Sequence, residues 1–314
     1  MPFVTYGAIV NIHMPLCLGL ELILIPRFNP SEWHKYLKKY EPNHICAVPS
    51  YIAALMDDSK VGDMQMPYLS TVGMGGEGMN VPLERRLNQF LCDHHSPAKI
   101  LKGYGMTEVC GTATVEYSNA NKEGSVGIPF INNNVMIYDN QNHTELRYCQ
   151  IGEVCMQCLS QMSGYKNNAK ETMQLLRKHS DGSIWLHTGD LGYVDEDGFL
   201  FIEGRIKRLL LTVTDGVVYK VVPSQIEDVI NDNAEVLESC VVSMKLDNDM
   251  ALRAFIVPMD YDTVDKYDLV NRLMNQCNER LSYYQIPRKM DIVESLPRNA
   301  AGKVDYQKLE RVKL

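Results

Sequence analysis

Apolar positions along this chain recur with two different spacings, and the change from one to the other divides it. Between Tyr6 and about Val115, helical repeats alternate with short continuous apolar runs. Trp33 to Lys39 reads as an amphipathic helix, Ile45-Cys46-Ala47-Val48-Pro49 as a buried strand and Pro82 to Cys92 as a second helix. Such alternation favours a largely parallel sheet carrying helices on its faces. From Gly124 to Glu203 the texture shifts to short strands, among them Val135-Met136-Ile137-Tyr138 and Glu153-Val154-Cys155-Met156, separated by Gly and Asn turns. Beyond Arg205 the pattern predicts a helix at Pro223 to Asn231, strands at Ser239 to Lys245 and Arg253 to Pro258, and a helix at Tyr267 to Leu281. The predicted architecture is α/β. Part of a large βα-layered domain occupies 1–206, with an α/β subdomain at about 1–120 and a β-rich, barrel-like subdomain at about 121–206; a separate small α+β domain follows at 207–314.

Composition narrows the class without changing that picture. The 314 residues carry a formal charge of -8 with 45% hydrophobic and 22% charged positions, the profile of a folded globular chain of at least two packed units. The acidic balance and the lack of a Lys/Arg cluster argue against nucleic acid and for a small-molecule partner. Met14 to Pro26 is the most apolar stretch, but Gly19 and Glu21 interrupt it and it falls short of the ~20 residues of a membrane span. Nine cysteines, an odd number, fit reduced thiols, and with no basic-then-apolar leader at the start the expected location is the cytoplasm.

Several short segments carry candidate chemistry. Gly103-Tyr104-Gly105-Met106-Thr107-Glu108 follows the apolar pair Ile100-Leu101, the place where a strand leaves an open α/β sheet and where such sheets bind ligands. Tyr104 can stack on a purine, Gly105 lets backbone approach a ligand, Thr107 offers a hydroxyl to phosphate, and Glu108 offers a hard oxygen to Mg²⁺. Taken alone the hexapeptide reads equally as a tight turn. Upstream, Gly73-Met74-Gly75-Gly76-Glu77-Gly78 is a glycine-rich loop without the spacing of a P-loop. In Thr188-Gly189-Asp190 the carboxylate can accept from both hydroxyls of a ribose, or the tripeptide is an ordinary Gly-Asp turn. Asp197-Gly198 predicts a hairpin that would bring Arg205 towards Asp190. Lys303 stands in a Pro/Asn/Gly loop near the end of the chain, a solvated charge or a mobile one delivered to a reacting phosphate.

Taken in order and spacing, these segments resemble the AMP-forming adenylating superfamily of acyl-CoA synthetases, firefly luciferases and peptide-synthetase adenylation domains. Gly124-Ser125-Val126-Gly127-Ile128-Pro129, Gly152-Glu153, Ser163-Gly164-Tyr165 with Thr172, Gly204-Arg205 and Gly302-Lys303 extend the match along the whole chain. The resemblance implies an acid–CoA ligase using ATP, Mg²⁺ and coenzyme A: carboxylate and ATP give acyl-AMP and pyrophosphate, then the thiol takes the acyl group. It implies that Tyr104 stacks on adenine, Thr107 contacts phosphate, Glu108 binds Mg²⁺, Asp190 and Arg205 hold ribose, and Gly75, Gly76 and Glu77 line the nucleotide and acyl pocket. Lys303 would assist adenylation, and Lys207 would be the hinge about which the small domain rotates. A homodimer is compatible with this family.

Three departures from the family pattern set further expectations. The family's phosphate-embracing loop belongs upstream of the present Met1, so the chain reads as a C-terminal portion with weak or no adenylating activity by itself. Thr5 stands near an expected histidine, and Val218 stands where a glycine is usual. Two other readings stand beside the ligase. One is a noncatalytic nucleotide-binding or scaffold descendant, with a peptide-synthetase-type domain as a variant of the enzyme reading. The other is a metal protein built on Cys155-Met156-Gln157-Cys158 with Cys149 and His143, although strand alternation would point Cys155 and Cys158 to opposite faces. His94-His95 reads as a solvated loop.

Overall fold

A computed structural model of the chain describes residues 6–246, 249–298 and 304–312; Thr5 and Lys303 lie outside them. The chain separates into two compact units, one ending at Ile202 and one beginning at Glu203. The first contains two sheets. In the N-terminal sheet, β1 (His44–Ala47), β2 (Thr71–Met74) and β3 (Lys99–Tyr104) run parallel, and β4 (Thr114–Val115) and β5 (Ile128–Pro129) add antiparallel to the β3 edge. The helices Trp33–Tyr40, Pro49–Met56 and Val81–Asp93 alternate with the parallel strands. Leu37, Ile52, Leu55, Leu69, Val72 and Leu87 are buried in one core with the strands, so the helical repeat and the continuous apolar runs serve one interior. Pro49, read above as the end of a strand, instead opens a helix, where its fixed φ and missing N–H cost nothing.

A buried ion cluster ties this sheet to the next segment. Lys102 on β3 is 4% exposed; its Nζ donates to Glu84 Oε1 at 2.5 Å and lies 3.5 Å from Glu116. Glu84 accepts from the Gly124 amide at 3.1 Å, and Glu116 accepts from the amides of Lys102 and Lys122 and from the Ser125 hydroxyl. One buried ammonium thus faces two buried carboxylates, and each of the three is also hydrogen-bonded, the condition for tolerating charge in a core. His94 also departs from its expected solvated place. It is 8% exposed, its Nδ1 is 2.6 Å from the Met64 carbonyl, and its ring packs on Phe90.

The second sheet is ordered β11-β10-β8-β6-β7, with β9 also on β10: β6 (Asn133–Asp139), β7 (Thr144–Glu145), β8 (Gly152–Cys158), β9 (Leu176–Lys178), β10 (Ile184–Val194) and β11 (Leu200–Arg205). Ile137, Val154, Met156, Leu186 and Leu200 form its core. Met14 to Pro26 is a short helix, Met14–Cys17, in which Leu16 is exposed, followed by irregular chain in which Leu18, Leu20 and Leu24 are exposed. Among the described residues no helix is long and apolar enough to cross a membrane.

The second unit contains the hairpin β12 (Leu210–Thr214) and β13 (Val217–Val221), and a sheet in which β14 (Val236–Leu246) pairs antiparallel with β15 (Asp249–Pro258), itself parallel to β16 (Lys289–Ile292). Asp215 and Gly216 both take positive φ at the hairpin tip, as a tight Asp-Gly turn requires. β15 is buried on both faces. Leu252, Ala254 and Ile256 share a core with Ile226, Ile230, Leu269 and Leu273, residues of the helices Pro223–Asn231 and Lys266–Arg280. Phe255 and Val257 face another core containing Leu296 and Leu309. Both helices lie within a residue of their expected bounds, because clear signals start them: Pro223 at the first position of one, and Asp265 capping the amides of Tyr267 and Asp268 in the other.

Candidate functional site

The loops that follow β2 and β3 leave the carboxyl ends of parallel strands, the position at which open α/β sheets receive ligands. After β2, Gly75 donates to the Ala47 carbonyl at 3.4 Å, Gly76 takes a φ of +83°, and Glu77 accepts from the Ser50 amide at 3.3 Å. After β3, Gly105 begins a closed loop in which the Ala113 amide donates to the Tyr104 carbonyl at 2.8 Å and the Gly111 amide to Met106 at 3.0 Å. Only glycine fits at 105, since a Cβ there would sit 2.0 Å from the Gly111 oxygen. Thr107 and Glu108 lie in the short 3₁₀ turn Thr107–Val109, with Thr107 exposed.

A second segment lies along this turn. The Met162 amide donates to the Glu108 carbonyl at 2.8 Å, the Ser160 hydroxyl to Val109 at 2.7 Å, and the Tyr165 hydroxyl to the Glu108 carboxylate. Burial, then this bond to Glu108, pushes the Tyr165 phenol up to about 12, so it remains a donor across the neutral range. No local signal in Ser163-Gly164-Tyr165 marks this role, because the contact crosses 57 residues.

Asp190 reaches the same place from the other sheet. Thr188-Gly189-Asp190 is not a turn between strands but a bulge inside β10. His187 pairs with Cys155 and Leu191 with Glu153, so three residues of β10 oppose Val154 alone. Gly189 supplies the positive φ, +72°, that the bulge needs. The Thr188 hydroxyl donates to the Val154 carbonyl at 2.7 Å and accepts from the Asp190 amide at 3.0 Å. The bulge re-aims Asp190, which is 4% exposed and accepts from the Tyr104 hydroxyl at 2.5 Å. Tyr104 and Asp190, 86 residues apart, thus meet in one cradle.

Arg205 and Lys207 belong to the second unit, and both are exposed. Their flanks are anchored there. The Ser224 hydroxyl donates to the Glu203 carbonyl, and Arg208 makes a two-pronged pair with Glu227 at 2.5 and 3.1 Å.

Cysteine chemistry differs from the Cys-x-x-Cys reading. Cys149 and His143 are exposed loop residues with positive φ, whereas Cys155 and Cys158 are buried. Among the described residues the group that could hold a metal is Glu153, Cys155 and His187. Burial, then the Glu153 charge, pushes the Cys155 thiol far above its usual range, so it is a packed thiol rather than a nucleophile. Burial presses the Glu153 carboxyl upward, but hydrogen bonds from His187 and Asn140 and the nearby Arg177 charge outweigh it and hold Glu153 below its ordinary 4.5. A depressed carboxyl contributes stability that is fully present above its unfolded value and is lost as pH falls through its folded one. The stability difference between wild type and Glu153→Gln should therefore shrink below about pH 4.5, read by urea denaturation at several pH values. A difference constant down to pH 3 would contradict that assignment.

Comparison with known proteins identifies the family of the chain. The family profile described as "AMP-binding enzyme" matches residues 1–166, and the one described as "AMP-binding enzyme C-terminal domain" matches residues 225–303. The chain is 26% identical to the long-chain-fatty-acid–CoA ligase of Bacillus subtilis over 98% of its own length and 52% of that protein's. It is also 26% identical to 4-coumarate–CoA ligase-like 6 of Arabidopsis thaliana, again over 98% and 52%. The crystal structure of the anthranilate CoA ligase AuaEII in complex with anthranoyl-AMP superposes with a TM-score of 0.82 at 22% identity, covering 98% of this chain and 57% of that one, a likeness of fold. The chain spans about half the length of the curated relatives it matches.

Proposed function

The chain belongs to the AMP-binding enzyme family, and from that premise we propose that it serves ATP-dependent acid–CoA ligation. A carboxylate oxygen attacks the α-phosphorus of ATP, the bond to pyrophosphate breaks, and a mixed acyl-AMP anhydride forms. The coenzyme A thiol then attacks the acyl carbon, losing its proton, and AMP leaves. The observation that carries this reading is the Tyr104–Asp190 contact at 2.5 Å, which joins an aromatic face and a buried carboxylate at the carboxyl end of a parallel sheet.

In this reading the Tyr104 ring stacks on adenine, and Asp190 accepts from the ribose hydroxyls with Arg205 as a second ribose contact. Gly75, Gly76 and Glu77 border the nucleotide and acyl pocket, Gly105 keeps the loop close to it, and Thr107 donates to phosphate. The donor chemistry at Glu108 suits Mg²⁺, being a hard carboxylate oxygen whose described partner is a single hydroxyl, that of Tyr165. Bound there, the ion would neutralise phosphate charge. Lys303 would bring a positive charge to the reacting carboxylate and α-phosphate, and Lys207 would be the pivot of the second unit.

Calorimetric titration with ATP and with a nonhydrolysable acyl-AMP analogue tests the proposal. Both should bind, and ATP should bind more weakly once Mg²⁺ is chelated. A noncatalytic scaffold would bind neither, and that result would sink the proposal.

A further inference from the structure

Behind the Asp190 bulge lies a buried polar cluster to which the reaction proposed above assigns no part. Three β10 residues opposing one β8 residue interrupt the backbone ladder, so the Gly189 amide needs another acceptor. Glu153, 3% exposed, supplies it: Oε1 accepts from Gly189 N at 3.0 Å. Its Oε2 accepts from His187 Nδ1 at 2.7 Å and from Asn140 Nδ2 at 2.8 Å, with Arg177 3.8 Å away. With Nδ1 donating, His187 Nε2 is left to accept from His179 Nε2 at 3.0 Å. Burial, then the neighbouring His187, holds the His179 pKa below its usual value, consistent with a neutral donor. One carboxylate thus grips the bulge at Gly189 and just before it at His187.

Ligand atoms of Glu153, His187 and Cys155, one from each, lie within 4.8 Å of one another and could in principle ligate a metal. The arrangement favours a clamp, because both Glu153 oxygens already accept hydrogen bonds and a guanidinium stands beside them.

We propose that Glu153, oriented by His187, is a positioning residue for nucleotide recognition: it fixes the bulge that aims Asp190, and so controls how well the site distinguishes ATP from 2′-deoxy-ATP without touching either. This rests on the reading of Asp190 as the ribose contact. Glutamine at 153 would present an NH₂ to partners that are all donors, breaking one side of the grip.

The test compares affinities for ATP and 2′-deoxy-ATP, together with hydrogen exchange across residues 187–191 in the absence of nucleotide. Wild type should prefer ATP by about tenfold. Glu153→Gln should bring that preference towards unity, mainly by weakening ATP, and should speed exchange at Gly189 and Asp190. His187→Gln, the second variant should the first fold poorly, should do both to a lesser degree. A Glu153→Gln protein that discriminates and exchanges like wild type would overturn the inference while leaving the ribose contact standing. Loss of discrimination in wild type itself would overturn the ribose contact and the inference with it. Stoichiometric zinc in purified wild type would replace the clamp with a metal site.

Discussion

Asp190→Ala should weaken ATP binding by about a hundredfold, since each hydrogen bond from a ribose hydroxyl to a carboxylate is worth roughly 1.5 kcal/mol or more and two are lost together. Asp190 is nearly fully buried and already carries the Tyr104 hydroxyl, so its carboxylate is preoriented and little ordering cost offsets the gain. Tyr104→Phe keeps the ring and loses only that contact, and should cost about tenfold. Calorimetric titration of the two variants checks both values, with urea denaturation confirming that each remains folded. An Asp190→Ala protein with wild-type affinity would remove the ribose contact from the proposal.

Gly105→Ala should destabilise the first unit by about 3 kcal/mol, at the severe end of overpacking. The added methyl would collide with backbone, 2.0 Å from the Gly111 oxygen and 2.9 Å from the Ala113 nitrogen, so no side-chain rotation relieves it. The loop between Tyr104 and Ala113 must open, carrying Thr107 and Glu108 with it. Both tryptophans, Trp33 and Trp185, lie in the first unit, so tryptophan fluorescence during urea denaturation reports on that unit alone. Gly78→Ala is the control, because a Cβ there meets nothing within 4 Å, and it should shift the midpoint little. Equal midpoints for the two variants would contradict the closed loop.

Much of the fold was legible in the chain. Pro223 and Asp265 fixed helix starts through chemistry local to a few residues, and the apolar repeats of Trp33 to Lys39 and Pro82 to Cys92 found helices within a residue or two of their bounds. The ordered motifs likewise pointed to the family that the comparisons identify. His94 was misread because a loop histidine is buried only when a distant carbonyl, here that of Met64, comes to meet it.

The candidate site divides along the same line. Sequence by itself determined which groups are present: an aromatic ring and a glycine at the end of β3, a Thr-Glu pair after it, and an acid in Thr188-Gly189-Asp190. Those identities follow from composition and spacing over a few residues. Only the tertiary structure decided that Thr188-Gly189-Asp190 is a bulge within a strand rather than a turn, because a bulge is defined by a mismatch with its partner strand, residues 153–155, more than thirty positions away. It alone decided that Tyr104 meets Asp190, that Tyr165 caps Glu108, and that Glu153 holds the Gly189 amide. Each is a hydrogen bond across 36 to 86 residues, and its existence depends on how two separately formed elements pack.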